Sequence, residues 1–355
     1  MILEAITPLC SVCESLKSET RPIFLYGMGN GAEKIHAYLA ENGICVRGVV
    51  ASDGFVRNQE FLGFKVESIG DASRKHGELC LVLCFGLEGE KSHFLWELAK
   101  KHRLVSPNLP VFGEGACDKR FITENIEKFE RVYEILEDDG SKEIFLNLLK
   151  YNVTGDISYL SLGNSLPAPM RFFDHEKRHI DIGAYDGDTV EQFVSHSEKY
   201  SDIVAFEPDP ITYRHLVKNT AGVRDCVCIN AAAGRKTQRI GFASGGGRAS
   251  HCTEGNDADC ISVDDYCNYT HISAQGTPIG SIKIDAEGMD EDVICGAVNT
   301  IYCCKPNVCV ALYHRAADII ELPLLLRKHN HKYKFYLRKK EYVPAWDIFL
   351  YAIQT

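Results

Sequence analysis

The segment from His179 to Pro208 constrains the fold of this chain more than any other. An apolar strand ends at the turn GAYDG (183–187), a helix is expected to begin near Asp188, and a second apolar strand ends at Glu207. The glycines let a ligand approach the backbone, and the helix start points free N–H groups at that ligand. A strand, turn, helix and acid-terminated strand in this order predict a doubly wound α/β sheet with half of a nucleotide site.

The spacing within this segment favours one class of nucleotide. Glu207 lies 20 residues past the last glycine of the turn, where a carboxylate can accept both ribose hydroxyls. The turn is not G-x-G-x-x-G, so it suits a sulfonium nucleotide with a carboxylate-bearing tail better than a dinucleotide pyrophosphate. We therefore predict S-adenosylmethionine. The alternative is structural, with Asp181 and Gly183 ending a core strand and Asp188 and Glu191 forming a capping box.

The fourth predicted strand of this sheet, within the sequence SIKIDAEG (281–288), also ends in acids and a glycine. Ligands of open α/β sheets lie at the carboxyl ends of the strands. Asp285 and Glu287 are therefore expected to converge on one crevice with Asp181 and Glu207.

These segments carry a resemblance to a known family. The stretches IDIGAYDGDT, AFEPDP, ISVDDY and IKIDAEG, a late strand ending LYH and an aromatic terminal strand resemble the FkbM family of S-adenosylmethionine-dependent methyltransferases from about Phe173 to Tyr351. The resemblance implies a class I methyltransferase fold. It also implies, usually, O-methylation of a sugar or small-molecule hydroxyl.

Methyl transfer is an in-line displacement, so the residues must divide into cofactor holders and a base for the acceptor. Asp285 and Glu287 are expected to face the transferred methyl, and His314, at the end of the fifth strand, is the candidate base. These three side chains could instead hold a divalent metal, and His314 could be structural; the sequence itself predicts no metal site. The predicted cofactor-binding residues are Asp181, Gly183, Tyr185, Asp188 and Thr189 at the methionine end, Glu207 at the ribose and Asn230 at the adenine.

A second glycine-rich turn, GMGNGA (27–32), stands between a predicted strand at 23–26 and a helix that ends at Glu41. It fits G-x-G-x-x-A, and the next strand ends near Asp53. The segment resembles the N-terminal nucleotide-sugar-binding domain of bacterial sialic-acid-type acetyltransferases, which implies a sugar nucleotide or NAD at Gly27, Gly29 and Asp53. The alternative is that the glycines serve only helix–strand packing.

A chain of 355 residues predicts more than one domain. We place a Rossmann-like domain at 1–118, a helical connector at 119–172 and the methyltransferase domain at 173–355. The connector is expected to hold two helices broken at Asp139-Gly140. Between Gly234 and Val263 we expect a β-hairpin insertion, whose glycine-rich loop at 244–248 is either a lid or a plain connection.

A net charge of −10 disfavours binding to nucleic acid, because phosphate neutralisation needs clustered cations. The basic cluster at 327–340 is expected to be a strand with one charged face that guards a sheet edge. No apolar run approaches the roughly 20 residues of a membrane span, and residues 1–16 lack a basic leader, so we predict a cytoplasmic protein. The 15 cysteines are expected to be mostly buried thiols, with Cys10 and Cys13 on one side of an N-terminal helix.

The leading functional hypothesis is O-methylation of a hydroxyl on a sugar, glycan or related metabolite. N-methylation of a sugar amine would use the same cofactor site. A third hypothesis is a sensor that binds nucleotide and S-adenosylmethionine without turnover, although acids at the end of the fourth strand favour an enzyme. The sequence leaves the acceptor and the oligomeric state open.

Overall fold

The computed structural model describes residues 1–113, 115–161, 166–197, 199–243, 251–269 and 278–355. The helices α1 to α14 are Ile2–Ile6, Val12–Lys17, Asn30–Glu41, Ile69–His76, His93–Ala99, Lys119–Glu124, Ile126–Ile135, Asp139–Thr154, Asp188–His196, Pro210–Asn219, Val263–Tyr269, Asp290–Cys295, Val298–Cys304 and Asp318–His329. The strands β1 to β19 are Ile23–Tyr26, Gly48–Ala51, Glu60–Phe61, Phe64–Lys65, Glu67–Ser68, Cys80–Leu83, Leu87–Glu88, Arg103–Val105, Arg178–Ile182, Ile203–Phe206, Cys226–Ile229, Ala232–Ala233, Gln238–Ala243, His251–Ile261, Ile279–Ile284, Asn307–Ala311, Lys334–Lys339, Tyr342–Val343 and Ile348–Ile353.

The first sheet has five parallel strands in the order β5-β2-β1-β6-β8. Its central strands are short runs of apolar residues that are buried throughout, as expected when helices cover both faces of a parallel sheet. The strand order reverses between β1 and β6. That point is where ligands of such sheets bind, and it lies next to the glycine-rich turn before α3.

The second sheet has seven strands in the order β11-β10-β9-β15-β16-β19-β17. Strands β9, β10, β11, β15 and β16 are parallel, whereas β19 is antiparallel to both β16 and β17. This arrangement confirms the doubly wound α/β sheet predicted for the second half of the chain. Its strand order reverses between β9 and β15.

The predicted β-hairpin insertion is also present. Strands β13 and β14 pair antiparallel, and β12 adds to β14 in parallel. The glycine-rich loop at 244–248, predicted as a lid or a plain connection, lies outside the described residues.

Two local predictions for helices are wrong, and capping explains both. The connector breaks at residues 136–138 and not at Asp139-Gly140, because the Asp138 carboxylate accepts the Ser141 N–H at 2.7 Å and starts α8 there. The N-terminal segment forms two helices, since Ser11 and Glu14 make a capping box that starts α2. Cys10 therefore lies outside the helix that contains Cys13.

The basic cluster at 327–340 is divided between the last turn of α14 and the edge strand β17. A charged face on an edge strand was predicted, but part of this edge is covered. Leu136 bridges to Phe335, the Arg338 guanidinium binds both oxygens of Asp138, and the buried Lys339 ammonium donates to the Leu160 carbonyl at 2.8 Å. The connector thus docks on the second sheet.

One hydrophobic core runs through both sheets. A single cluster of buried side chains includes Leu81 of β6, Leu149 of α8 and Ile282 of β15. Strand β7 also pairs with β18. The described helices include none that combines the length and apolarity needed to cross a membrane.

Candidate functional site

A cleft lies at the carboxyl ends of β9, β10 and β15, where the strand order reverses. It has about 960 Å³ of atom-free space, counting its open mouth. Its lining residues are Ile182, Gly183, Tyr185, Asp188, Thr189, Phe206, Glu207, Pro208, Ala231, Ala232, Ala233, Phe242, Lys283, Asp285, Ala286, Glu287, Met289, Tyr313, Lys340, Asp347 and Phe349.

The turn after β9 requires glycine at its first position. Gly183 has φ +73°, and a Cβ atom there would collide with the carbonyl oxygen of Asp285. The turn therefore passes directly beside the end of β15. The capping box predicted for Asp188 and Glu191 is absent, because the left-handed Gly187 caps α9 and its carbonyl accepts the Glu191 N–H at 3.0 Å.

Asp181 is fully buried under this turn. One of its carboxylate oxygens accepts the Thr189 hydroxyl, and the other lies 3.4 Å from the Lys283 ammonium without a hydrogen bond. Lys283 also donates to the Gly183 carbonyl at 3.0 Å and lies 3.7 Å from Asp285. Burial opposes the charge of Lys283, but Asp181 and Asp285 outweigh it and raise the lysine pKa above its ordinary value.

The sequence analysis did not identify Lys283. Its signal was a lysine inside a strand whose other residues are apolar or small. A buried cation of this kind needs anionic partners, and the acids at the neighbouring strand ends supply them.

Glu207 ends β10 with a carboxylate that is almost buried. It accepts the backbone N–H groups of Tyr185 at 3.1 Å and Asp209 at 2.9 Å. Burial raises the pKa of Glu207 to about 7, although these two donors act in the opposite direction. The carboxylate faces the cleft and keeps lone pairs for a ligand hydroxyl.

Asn230 does not line the cleft, although it was predicted at the adenine. Its amide donates to the carbonyls of Glu207 at 2.9 Å and Pro208 at 3.1 Å, so it braces the backbone behind the cleft wall. The small side chains at 231–233 form the wall in its place. This small apolar surface leaves room for a flat ring.

The structure brings Asp285, Glu287 and His314 together. The His314 Nε2 atom lies 3.3 Å from Asp285 and 3.5 Å from Glu287. Tyr313, which the sequence analysis passed over, donates its hydroxyl to Asp285 at 3.0 Å. Two carboxylates, a phenol and an imidazole therefore meet where β15 and β16 end.

Asp290 holds the other side of His314. Its carboxylate lies 2.8 Å from Nδ1 and also accepts the backbone N–H groups of Ala286 at 2.9 Å and Gly288 at 3.2 Å. Burial alone would lower the pKa of His314, but Asp290, followed by Asp285 and Glu287, raises it to about 10. The imidazole is thus protonated at neutral pH, which differs from the neutral base expected from the sequence.

Among the described residues, Asp290, His314 and Asp318 form a group of potential metal ligands whose ligand atoms lie within 4.8 Å of one another. All three side chains are buried. Asp290 is engaged as described above, and Asp318 accepts the Arg315 N–H at 2.8 Å. These contacts give the cluster a structural role in holding His314.

The predicted N-terminal site lies at the carboxyl end of the first sheet. A Cβ atom on Gly27 would meet the Phe85 ring at 2.5 Å, and one on Gly31 would meet the Cys84 carbonyl at 2.6 Å. Gly29, in contrast, faces open space with φ +121°, and Asp53 is exposed at the end of β2. Packing therefore accounts for two of the three glycines.

A cavity next to this turn is lined by the start of α3 and the end of β6. Its other walls come from the segment around 107–113, which includes Phe112, and from Pro344 and Trp346. Phe112 donates its backbone N–H to the His314 carbonyl at 2.9 Å, and Trp346 precedes Asp347, which lines the cleft of the second sheet. The cavity and the cleft are thus close neighbours.

Comparison with known proteins identifies the second half of the chain. Residues 181–335 match the family model of the methyltransferase FkbM domain. A search of curated proteins returned no match.

One solved structure shares the fold over nearly the whole chain. The methyltransferase FkbM of Methylobacillus flagellatus KT has a TM-score of 0.67 and 17% identity, over 99% of this chain and 92% of its own. Partial similarity extends to the fibrillarin of Aeropyrum pernix bound to S-adenosyl-L-methionine (TM-score 0.32, 11% identity, 54% and 71% coverage). It also extends to an rRNA methylase of Streptococcus thermophilus (TM-score 0.33, 9% identity, 52% and 92% coverage).

The family match covers the turn after β9, the acid that ends β10, the acids after β15 and His314, all of which the structure gathers around one cleft. The chain is therefore an S-adenosylmethionine-dependent methyltransferase, and its residues 181–335 match the methyltransferase FkbM domain.

Proposed function

We propose that this enzyme methylates a hydroxyl group on a sugar, glycan or related small molecule. The observation that carries the proposal is the meeting of Asp285, Glu287, Tyr313 and His314 at one end of the cleft, opposite Glu207. Binding alone does not need this set of acid–base groups, so it argues against a sensor. An acidic set also suits a neutral, hydroxyl-bearing acceptor.

The residues of the cleft fit S-adenosylmethionine. The Glu207 carboxylate can accept the ribose hydroxyls, and the small wall at 231–233 admits the adenine. Asp181 is fully buried beneath the turn and does not itself line the cleft, so it would act on the methionine end through Thr189 and Lys283, which do line it. Tyr185, Asp188 and Thr189 then surround the methionine end.

When bound, S-adenosylmethionine supplies an electrophilic methyl group on sulfur. Asp285 or Glu287 would orient the acceptor hydroxyl and take its proton while the oxygen bonds to the methyl carbon; the carbon–sulfur bond breaks in the same step, and the cofactor would leave as the neutral thioether S-adenosylhomocysteine. The protonated His314 lies beside both carboxylates and fixes their positions, while Asp290 fixes His314. This assigns the base role to a carboxylate and a positioning role to the histidine.

Transfer of a ¹³C-labelled methyl group tests this proposal. The enzyme is incubated with labelled cofactor and a panel of monosaccharides, amino sugars, nucleotide sugars and oligosaccharides, and carbon chemical shifts separate O-methyl from N-methyl products. We expect O-methyl products. N-methyl products would instead support the alternative acceptor, a sugar amine. A separate test adds EDTA. If turnover is lost and returns when a divalent ion is added, a metal site at Asp285, Glu287 and His314 would be favoured over a carboxylate base.

We further propose that the cavity at the first sheet binds a sugar nucleotide or NAD. The open space at Gly29 supports this, as does the position of the cavity where the strand order reverses. A sugar-nucleotide ligand would be consistent with cytoplasmic polysaccharide biosynthesis. The domain division at 1–118, 119–172 and 173–355 belongs to the same proposal.

A further inference from the structure

Lys340 is a cation at the cleft whose charge is unused. It follows β17, is exposed and lines the cleft, and its backbone N–H donates to the Asp347 carbonyl at 3.0 Å. Within the described parts of the chain, its ammonium group forms no hydrogen bond or ion pair. The ammonium is free to meet an anion that enters the cleft.

The free ammonium of Lys340 matters because most of the other charged side chains in the cleft are acidic. Its carboxylates are those of Asp188, Glu207, Asp285, Glu287 and Asp347. The second lining lysine, Lys283, is already engaged by the Gly183 carbonyl, Asp181 and Asp285. Among the charged side chains that line the cleft, Lys340 is therefore the cation still available to an anionic ligand group.

The position of Lys340 indicates which end of the ligand it meets. Lys340, Thr189 and Phe349 also line an adjoining cavity beside α9. Glu207 and the wall at 231–233, the proposed nucleoside end, do not line that cavity. Lys340 therefore lies toward the start of α9, which is the methionine end of the cleft.

S-Adenosylmethionine has one anionic group, the α-carboxylate at its methionine end. We propose that Lys340 binds this carboxylate and makes the enzyme selective for cofactors that carry it. The inference rests on the proposed cofactor site and adds to it the residue that recognises the carboxylate. An ammonium–carboxylate hydrogen bond is of the strong, charge-assisted kind.

Titration calorimetry with two ligands tests this inference. The two ligands are S-adenosylmethionine and its decarboxylated analogue, which lacks the carboxylate. Each is titrated into the wild type and into the Lys340→Met variant. Methionine has a side chain of similar length to lysine but carries no charge. Lys332→Ala, an exposed lysine away from the cleft, is the matched control. We expect Lys340→Met to weaken the affinity for S-adenosylmethionine by about tenfold and to change the affinity for the analogue by no more than about twofold.

Two results would overturn the inference: equal weakening of both ligands, and unchanged affinity for S-adenosylmethionine. In either case the wild type still binds S-adenosylmethionine, so the proposed function survives. If the wild type binds neither ligand, the proposed cofactor site itself fails, and the inference fails with it. A thermal melt of each variant verifies that the titrated protein is folded.

Discussion

At the scale of single residues, the site depends on a buried chain of charges from Asp290 through His314 to Asp285 and Glu287. Each contact places an acid against the histidine, and the result is a protonated imidazole where the sequence alone suggested a neutral base. The difference arises because Asp290 is 24 residues away in the chain, so its contact with Nδ1 could not be predicted from local sequence.

The first prediction concerns Asp290→Asn. Removing one partner of a buried ion pair is expected to lower the free energy of unfolding by about 3–5 kcal/mol near pH 6. The pKa of His314 is raised from 6.5 to about 10, so its stabilising effect is complete below pH 6.5 and is lost as the pH rises through about 10. The pKa of Asp290 is lowered, so its contribution is lost only in acid. The stability gap between wild type and variant should therefore shrink above pH 10.

Chemical denaturation across pH measures this gap, and histidine NMR shifts follow the imidazole directly. His179 is the internal control, because burial lowers its pKa to about 4 and it should be neutral where His314 is charged. A wild-type His314 that titrates near pH 6.5 would contradict the account of the site.

At the scale of elements, the two nucleotide-type units were predictable because a strand, a glycine turn and an acid follow one another locally. The helix expected to begin near Asp188 is observed at Asp188–His196. Lys283 and Tyr313 were not predicted, since a polar residue in a buried strand becomes interpretable only when its neighbours across the sheet are known. Asn230 was misplaced because its amide turns back to the preceding strand.

A second prediction tests the turn of the first sheet. If a diphosphate binds beside Gly29, a sugar nucleotide or NAD should raise the melting temperature of the wild type, and Gly29→Val should remove that shift. Because φ is +121° at Gly29, valine also strains the turn, so Lys34→Ala in α3, which lines the cavity next to this turn, provides an independent variant expected to reduce the shift. A panel of nucleotides without effect on the wild type would show that this sheet is a scaffold.

At the scale of the whole molecule, the two sheets share one hydrophobic core, and the connector docks on the second sheet through Asp138 and Arg338. Both sheets were predictable from the sequence, but the contacts between them were not. Strand β7 pairs with β18, and Phe112 contacts His314; each contact joins segments that are about 200 residues apart or more. The site is therefore supported from both halves of the chain.

The central claim is that one cleft containing Glu207 binds S-adenosylmethionine, and calorimetry on wild type and Glu207→Ala tests it most directly. We predict one binding site per chain, and we expect Glu207→Ala to weaken the affinity for S-adenosylmethionine by about tenfold or more. Glu191→Ala, which changes an exposed glutamate on α9, is the control. Because the pKa of Glu207 is raised to about 7 and the ionised form accepts the ribose hydroxyls, wild-type affinity should fall as the pH drops below 7, and this dependence should vanish in the variant. Absence of binding by the wild type, or equal affinity in Glu207→Ala, would contradict the account.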